Sequence, residues 1–338
     1  MKQIALERPG HFIATDVPAP SAQPGEALVR VHRVGVCGTD LHAFAGRQPF
    51  FNYPRILGHE LGVEILDPGN DPHGLKTGDR CAVEPYIDCG RCLACRGGRS
   101  NCCADLKVLG VHIDGGMRPQ MAVPARKLHR SDTLAYDQLA LVETLAIGAH
   151  AVERASITRD DFVLVIGAGP IGLSVIQFAQ LHDATLAVMD VKASRLDFCR
   201  RHLGVTHTLA GGVDVTEQLR GIGGGDLPTI VLDATGNAAS MEGAFELPAQ
   251  GGRIVFVGLF QGEVSFHDPN FHRRELSLFA SRNALPGNFR EIIALIEAGR
   301  IDTAPWITHR FDLVDTPQRF PEFAEDPAVI KTVISVSV

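Results

Sequence analysis

The residues best suited to chemistry are the eight cysteines, because five of them fall within fifteen positions of one another. This cluster contains Cys89, Cys92, Cys95, Cys102 and Cys103. Zinc binds four thiolates tetrahedrally, and Cys-x2-Cys spacing places pairs of thiolates close together. The first three cysteines, with either Cys102 or Cys103, therefore predict a closed structural zinc site. A redox-active CxxC pair is the competing interpretation, although redox chemistry needs only a single pair.

A second set of candidate metal ligands lies outside this cluster. Cys37 opens the segment Cys-Gly-Thr-Asp-Leu-His, and His59 stands within Gly-His-Glu. Both residue types bind zinc, and Glu143 is a candidate third ligand. The competing interpretation is that both are structural residues, as a single cysteine or histidine more often is.

A glycine-rich segment predicts a dinucleotide site. Gly167, Gly169 and Gly172 fit the pattern GxGxxG, with Pro170 and Ile171 inside it. The pattern follows the apolar run at 162–166 and opens a helical segment, which is the context that binding a pyrophosphate requires. Such a helix also presents free N–H groups and a positive dipole end to phosphates. The competing interpretation is a glycine turn in an α/β domain that binds no nucleotide.

The residue that follows the next strand favours NAD over NADP. Asp190 comes eighteen residues after Gly172 and can accept hydrogen bonds from both ribose hydroxyls of adenosine, whereas it would repel a 2′-phosphate. Lys192 and Arg195 lie close behind it and weaken this inference. We include Arg195 among the predicted cofactor-binding residues.

Two kinds of segment must position these groups. The first third of the chain has short valine-rich runs separated by Gly and Pro turns, which is typical of a small antiparallel barrel or sandwich. After about residue 143, continuous apolar runs alternate with helical segments, which predicts a parallel sheet covered on both faces. The fold class expected is therefore α/β with a second, β-rich domain.

Composition excludes several functional classes. The chain of 338 residues has a net charge of −7 and no basic run, so nucleic acid and anionic membranes are poor partners. No apolar stretch approaches the roughly 18 residues that span a bilayer. The N-terminal residues lack the apolar core of a signal peptide, so we expect a cytoplasmic protein without disulfides.

Taken together, these motifs resemble the zinc-dependent medium-chain dehydrogenase/reductase family, which includes alcohol, polyol and threonine dehydrogenases. The resemblance covers nearly the whole chain, and its motifs occur in the family's order: GVCGTDLH at 35–42, GHE at 58–60, GDR at 78–80, the cysteine cluster and the glycine fingerprint. It implies a GroES-like β-barrel catalytic domain at 1–144 and 276–338, with a structural zinc lobe at about 85–105. A doubly wound Rossmann domain that binds NAD is expected at 145–275.

The resemblance also implies residue roles at a catalytic zinc. Cys37, His59 and Glu143 correspond to its ligands, a glutamate being typical of polyol-type members. Glu60 corresponds to a glutamate that enters the zinc sphere during ligand exchange, and Asp40 to a carboxylate that orients the histidine.

Proton transfer and the structural site follow from the same resemblance. Thr39 corresponds to the residue that accepts the substrate proton, and His42 to the one that releases it through the cofactor ribose. The spacing of the family selects Cys103 as the fourth structural ligand. Each chain is thus expected to hold two zinc ions.

The remaining predicted site residues lie in the cofactor half and around the substrate. Thr235 and Gly258 follow predicted parallel strands, and Arg282 and Asn283 correspond to a segment near the nicotinamide and its phosphates. Arg118 could bind a substrate carboxylate and Phe50 could form a wall of the pocket, although an exposed arginine and a core phenylalanine are the plain interpretations.

The expected function is hydride transfer from a secondary alcohol of a polyol, sugar or sugar acid to NAD, by a homodimer or homotetramer. A threonine or simple-alcohol dehydrogenase is the alternative within the family, and a zinc-free reductase is a further one. A non-catalytic, zinc-stabilised dinucleotide sensor is the alternative of a different class. It would need no open zinc site.

Overall fold

The computed structural model describes residues 1–48, 51–70, 74–212 and 215–336. The chain divides into two compact units. We call Met1–Thr144 with Leu285–Val338 the barrel unit, and Leu145–Ala284 the parallel-sheet unit.

The elements are numbered in chain order. The strands are β1 (Lys2–Arg8), β2 (His11–Asp16), β3 (Glu26–Val36), β4 (Glu60–Asp67), β5 (Arg80–Val83), β6 (Tyr86–Ile87), β7 (Lys107–Val108), β8 (Gln120–Pro124), β9 (Leu128–Ser131), β10 (Phe162–Ile166), β11 (Thr185–Asp190), β12 (His207–Ala210), β13 (Ile230–Asp233), β14 (Arg253–Phe256), β15 (Ser277–Ala280), β16 (Ile307–Asp312) and β17 (Lys331–Ser335). The helices are α1 (Gly38–Phe44), α2 (Leu93–Arg96), α3 (Tyr136–Ala155), α4 (Pro170–Gln180), α5 (Ala193–Leu203), α6 (Val215–Ile222), α7 (Ala238–Gly243), α8 (Asp268–Arg273), α9 (Pro286–Glu297) and α10 (Thr316–Glu325).

The barrel unit is built around β3. The strand order is β16-β17-β3-β4-β5-β9, and β8 also pairs with β3. Val29, Val31 and Val34 of β3 are fully buried and belong to the core of this unit. The C-terminal strand β17 lies antiparallel to β3, with Val333 opposite Gly35. The last strand of the chain therefore completes a sheet that begins about 300 residues earlier.

The parallel-sheet unit has the strand order β12-β11-β10-β13-β14-β15. This is the doubly wound order, in which the direction of strand addition reverses between the first and fourth strands, here β10 and β13. All residues of β10 are buried, as expected for a parallel strand covered on both faces. The predicted fold class is confirmed.

One predicted boundary differs from the observed one. The sequence placed the return to the barrel at residue 276, whereas the parallel-sheet unit extends to Ala284. The reason is β15, which pairs in parallel with β14 and forms the edge of that sheet.

Among the described residues, no helix is long and apolar enough to cross a membrane.

Candidate functional site

The structure brings four of the clustered cysteines together. The four Sγ atoms all lie within 4.8 Å of one another; they belong to Cys89, Cys92, Cys95 and Cys103. The Sγ atoms of Cys92 and Cys95 are 3.4 Å apart, and the backbone N–H of Cys89 donates to Sγ of Cys103 at 3.3 Å. Cys102 lies outside this group, and its Sγ is 4.0 Å from the guanidinium of Arg99. Geometry therefore distinguishes two neighbouring cysteines that spacing alone left open.

The lobe also favours the thiolate form of one cysteine. Backbone N–H groups of Ala104 and Cys95 lower the pKa of Cys92 to about 6. The thiolate is the form that binds metal. Four sulfur donors with such a backbone suit a closed tetrahedral zinc site.

A second group consists of Cys37, His59 and Glu60, whose ligand atoms also lie within 4.8 Å of one another. Strand pairing creates it: Cys37 follows the last residue of β3, Glu60 begins β4, and Gly35 lies opposite Glu60 in the register. His59 and Glu60 are buried, and Cys37 is partly exposed.

This second group has the chemistry of a zinc site. Within the described part of the chain, Nδ1 of His59 and Oε2 of Glu60 are buried without a hydrogen-bond partner. Buried polar atoms are normally paired, so the unpaired Oε2 of Glu60, in a group with Cys37 and His59, calls for a partner such as an ion. A thiolate, an imidazole and a carboxylate are the donors that zinc takes in open sites. The residues present therefore fit a zinc ion.

Asp40 supports two members of the group. Its Oδ2 accepts a hydrogen bond from the backbone N–H of Cys37 at 2.9 Å, and its Oδ1 lies 3.8 Å from Nδ1 of His59. Burial disfavours protonation of His59, but the charge of Asp40 and contact with Cys37 outweigh it and raise the pKa of His59 well above its usual value.

Glu143 is not one of the three residues whose ligand atoms lie within 4.8 Å of one another, although its charge acts on His59. It is buried on α3, and its Oε1 accepts a hydrogen bond from the hydroxyl of Tyr86. Burial raises the pKa of Glu143, while the charge of His59 lowers it. Of the four predicted ligands of the catalytic zinc, the structure thus brings Cys37, His59 and Glu60 within 4.8 Å of one another, and Glu143 as a ligand stays a prediction. Tyr86 itself had no signal in the sequence.

Thr39 and His42 lie on α1, one turn apart. Cys37 caps this helix and its Sγ accepts the backbone N–H of Thr39 at 3.5 Å. His42 is exposed, whereas Thr39 is partly buried. Residues at positions i and i+3 share one face of a helix, so the two side chains are neighbours on α1.

The glycine fingerprint forms the turn between β10 and α4. Gly167 has φ +90°, and a Cβ on Gly172 would lie 1.7 Å from the carbonyl oxygen of Gly167, so neither position accepts a side chain. A Cβ on Gly169, in contrast, would meet no atom within 4 Å in the described structure. Gly169 caps α4 and thus leaves open space in front of the helix N-terminus. Pro170 and Ile171 begin the first turn of that helix.

Asp190 ends β11 beside this turn. Its Oδ2 accepts the backbone N–H of Ala168 at 2.7 Å, and its Oδ1 accepts that of Lys192 at 2.8 Å. Arg195 is half-buried on α5, and burial lowers its pKa although the charge of Asp190 opposes this shift. The predicted adenosine-binding residues are therefore neighbours.

The other predicted cofactor residues lie at the carboxyl edge of the same sheet. Thr235 follows β13, and Gly258 follows β14, where a Cβ would lie 2.3 Å from the backbone nitrogen of Gly236. Arg282 is exposed after β15, and Asn283 beside it has φ +51°. Ligands of open α/β sheets bind at this edge.

Of the two predicted substrate residues, Arg118 and Phe50, the structure describes only Arg118. Arg118 is half-buried and follows a loop in which the backbone N–H of Met117 donates to Leu57 at 3.0 Å. Leu57 lies two residues before His59. The residue that precedes Arg118 is therefore hydrogen-bonded to the segment that carries a predicted metal ligand. Phe50 lies outside the described residues.

Comparison with known proteins agrees with this geometry. Residues 23–133 match the alcohol dehydrogenase GroES-like domain, and residues 170–298 match the zinc-binding dehydrogenase family. The chain is 39% identical to L-galactonate-5-dehydrogenase of Escherichia coli K12, over 99% of both chains. It is 32% identical to D-altritol 5-dehydrogenase of Agrobacterium fabrum, over 98% of both. An alcohol dehydrogenase of E. coli CFT073, solved with NADH, superposes with a TM-score of 0.92 at 29% identity and 99% coverage of both.

The fold and these matches define a zinc-dependent dehydrogenase. The chain belongs to the zinc-type alcohol dehydrogenases of the medium-chain dehydrogenase/reductase family, which confirms the resemblance found in the sequence. Membership of an enzyme family also removes the main reason for the sensor interpretation.

Proposed function

We propose that this protein oxidises a secondary alcohol of a sugar acid or polyol with NAD, and reduces the corresponding ketone in the reverse direction. The observation that carries the proposal is the group of Cys37, His59 and Glu60, whose ligand atoms lie within 4.8 Å of one another and whose buried Oε2 of Glu60 is unpaired in the described structure. The substrate class is supported by the relative that acts on L-galactonate and by the one that acts on D-altritol.

The first step is the binding and polarisation of the alcohol. Cys37, His59 and Glu60 would hold the catalytic zinc, with Glu143 as the further predicted ligand, and Asp40 would orient His59. When bound, zinc supplies a Lewis acid that lowers the pKa of the alcohol, and NAD supplies the hydride acceptor.

Proton removal falls to residues of α1. Thr39 accepts the proton of the substrate hydroxyl, because its own hydroxyl can both accept and donate a hydrogen bond. His42 stands one turn further on the same helix and is exposed, so it passes the proton towards solvent. Glu60 would take part in the exchange of water for the substrate oxygen at the zinc.

NAD is held by the parallel-sheet unit. The pyrophosphate lies at the N-terminus of α4, which offers free N–H groups. The residues that receive it are Gly167, Gly169, Pro170, Ile171 and Gly172. Asp190 accepts the ribose hydroxyls, with Arg195 beside it. The nicotinamide half of the cofactor is assigned to Thr235, Gly258, Arg282 and Asn283.

The structural site of Cys89, Cys92, Cys95 and Cys103 holds the second zinc, which has no open position for substrate. Thiolate sites of this kind are retained in a reducing compartment, so we place the protein in the cytoplasm. The assembly we propose is a homodimer or homotetramer without nucleic acid or membrane partners, which sedimentation velocity tests.

The metal content tests the catalytic site. We expect two zinc ions per purified chain, one for each ligand group. Cys37→Ser should lose one zinc and all turnover while keeping the structural zinc. A variant that retains full activity, or a wild-type chain with a single zinc, contradicts the site.

The substrate is tested by a screen with NAD against hexonates, polyols, threonine and simple alcohols, with NADP as the cofactor comparison. A hexonate should give the highest kcat/KM. Arg118→Ala should then raise KM for the hexonate by about tenfold or more, the effect of losing a charge-assisted hydrogen bond. Turnover of a neutral polyol should change little, and an equal effect on both substrates rejects carboxylate binding by Arg118.

A further inference from the structure

A buried lysine touches the group of metal ligands. Lys331, the first residue of β17, is 1% exposed. Its Nζ donates to Oε1 of Glu60 at 2.5 Å and to the backbone carbonyl of Val36 at 3.2 Å. An ammonium so far from water needs a compensating charge, and Glu60 is its carboxylate partner.

The sheet is arranged to permit this contact. Glu60 on β4 and Lys331 on β17 stand on either side of β3. Between them Gly35 lies opposite Glu60 and opposite Val333, and a Cβ on Gly35 would be 2.0 Å from Oε2 of Glu60. A glycine in the middle strand therefore leaves room for the carboxylate beside β3.

Glu60 has two partners, the ammonium of Lys331 and the metal that its group would hold. Its carboxylate meets the ammonium on one side and belongs to the group with Cys37 and His59 on the other. Two cations near one buried carboxylate each weaken the hold of the other, because charges interact strongly where water is excluded. Removing the ammonium would leave the whole charge of Glu60 to the metal.

We propose that Lys331 is a positioning residue that keeps Glu60 weakly bound at the catalytic metal, so that the substrate oxygen can take its place. This inference rests on the proposed function, since it requires a metal at Cys37, His59 and Glu60. It assigns a role in ligand exchange to the C-terminal strand of the chain.

The test is the rate of zinc release to a chromogenic chelator. The phase that belongs to the catalytic site is the one absent from Cys37→Ser. In Lys331→Met this phase should slow by about tenfold, the scale on which groups that contact metal ligands change metal affinity. In Glu60→Gln the additional Lys331→Met change should have no further effect, because the ligand under control is gone.

Spectroscopy and turnover supply independent readouts. With Co²⁺ at the catalytic site, Lys331→Met should shift the visible bands in the way that a more tightly bound oxygen ligand does. Its kcat should fall by about tenfold, and Lys331→Arg should recover much of the loss because it keeps the positive charge.

Lys127→Met is the matched control. Lys127 is equally buried and pairs with Glu84 and Asp88, and it does not contact Glu60 in the described structure. It should reproduce any general loss of stability without altering the release phase of the catalytic zinc.

The outcomes separate the two proposals. A wild-type chain without a second zinc overturns the catalytic site itself. A wild-type chain with two zinc ions whose Lys331→Met variant releases zinc equally fast or faster, with unchanged cobalt bands, overturns only the role of Lys331.

Discussion

At the scale of single residues, the cysteine lobe shows how neighbours of identical type differ. Cys102 and Cys103 are adjacent, and either satisfied the spacing of a four-thiolate site. The short 3-10 turn Ser100–Cys102 directs the following Cys103 towards the sulfur atoms of the cluster. Only the backbone path makes this choice, because the two side chains have the same chemistry.

We predict that Cys103→Ser removes the structural zinc and that Cys102→Ser does not. A tetrahedral site with three thiolates and a hydroxyl binds zinc weakly, and the folding energy the metal supplies is lost with it. Metal analysis and thermal melting of the two variants measure this difference. Retention of zinc by Cys103→Ser together with its loss from Cys102→Ser would reverse the assignment.

At the scale of elements, Asp161 ties together the beginnings of three parallel strands. It precedes β10, and its Oδ1 accepts from the hydroxyl of Thr229 at 2.6 Å and from Arg253 at 2.9 Å. Burial alone would raise the pKa of Asp161, but hydrogen bonds from Thr229 and Thr158 and the charge of Arg253 outweigh it and lower this pKa.

A carboxylate with a lowered pKa in the folded state stabilises the fold above its unfolded pKa, and this contribution is lost as the pH falls through the folded value. We therefore predict that Asp161→Asn lowers the free energy of unfolding at pH 7. The difference in free energy of unfolding between this variant and the wild type should become smaller below pH 3.8, the ordinary pKa of aspartate. Urea unfolding at several pH values measures it.

The control for this experiment is the neighbouring Asp160→Asn, since Asp160 is exposed. It should leave the urea midpoint nearly unchanged across the same pH range. A pH-independent effect of Asp161→Asn would show that the charge of the carboxylate does not matter.

Close contact of two helical segments gives a second prediction at this scale. A Cβ on Gly148 of α3 would lie 2.0 Å from Oγ of Ser174 on α4 and 2.6 Å from the backbone carbon of Ser174. Because backbone cannot yield as a flexible side chain does, Gly148→Ala should destabilise the fold by about 2 kcal/mol. Chemical denaturation measures the change.

Gly243→Ala serves as the comparison. Gly243 ends α7, and a Cβ there would meet no atom within 4 Å in the described structure. This variant should be neutral or slightly more stable, since alanine restricts the unfolded chain. Equal destabilisation by both variants would mean that the contact with Ser174 is unimportant.

At the scale of the whole molecule, the metal ligands and the cofactor residues belong to different units. Both cysteine-containing groups lie in the barrel unit, whereas the fingerprint and Asp190 lie in the parallel-sheet unit. Each unit has its own hydrophobic core. Loss of the catalytic metal should therefore not dismantle the cofactor site.

We predict that Cys37→Ser binds NADH with a Kd within about threefold of wild type although it has no turnover, a difference of less than 1 kcal/mol. Fluorescence titration of NADH measures it, and Asp190→Ala, which removes the predicted ribose contact, is the comparison that should bind more weakly. A loss of affinity in Cys37→Ser as large as that in Asp190→Ala would contradict separate sites.

The sequence alone determined the features that depend on local chemistry. Glycines at 167 and 172 are required by one tight turn, and the short apolar run at 162–166 before them has the length of a buried strand. The cysteine spacing likewise predicts a metal lobe. Local rules of this kind act over a few residues, so they can be read without knowing the fold.

Tertiary structure decided what depends on distant partners. The sequence did not indicate that β15 ends the parallel sheet or that Tyr86 bonds to Glu143. Lys331 meets Glu60 across 271 positions of chain, and its only trace in the sequence is a charge within an apolar strand. Such contacts are fixed by strand order and register, which bring together residues that no local pattern connects.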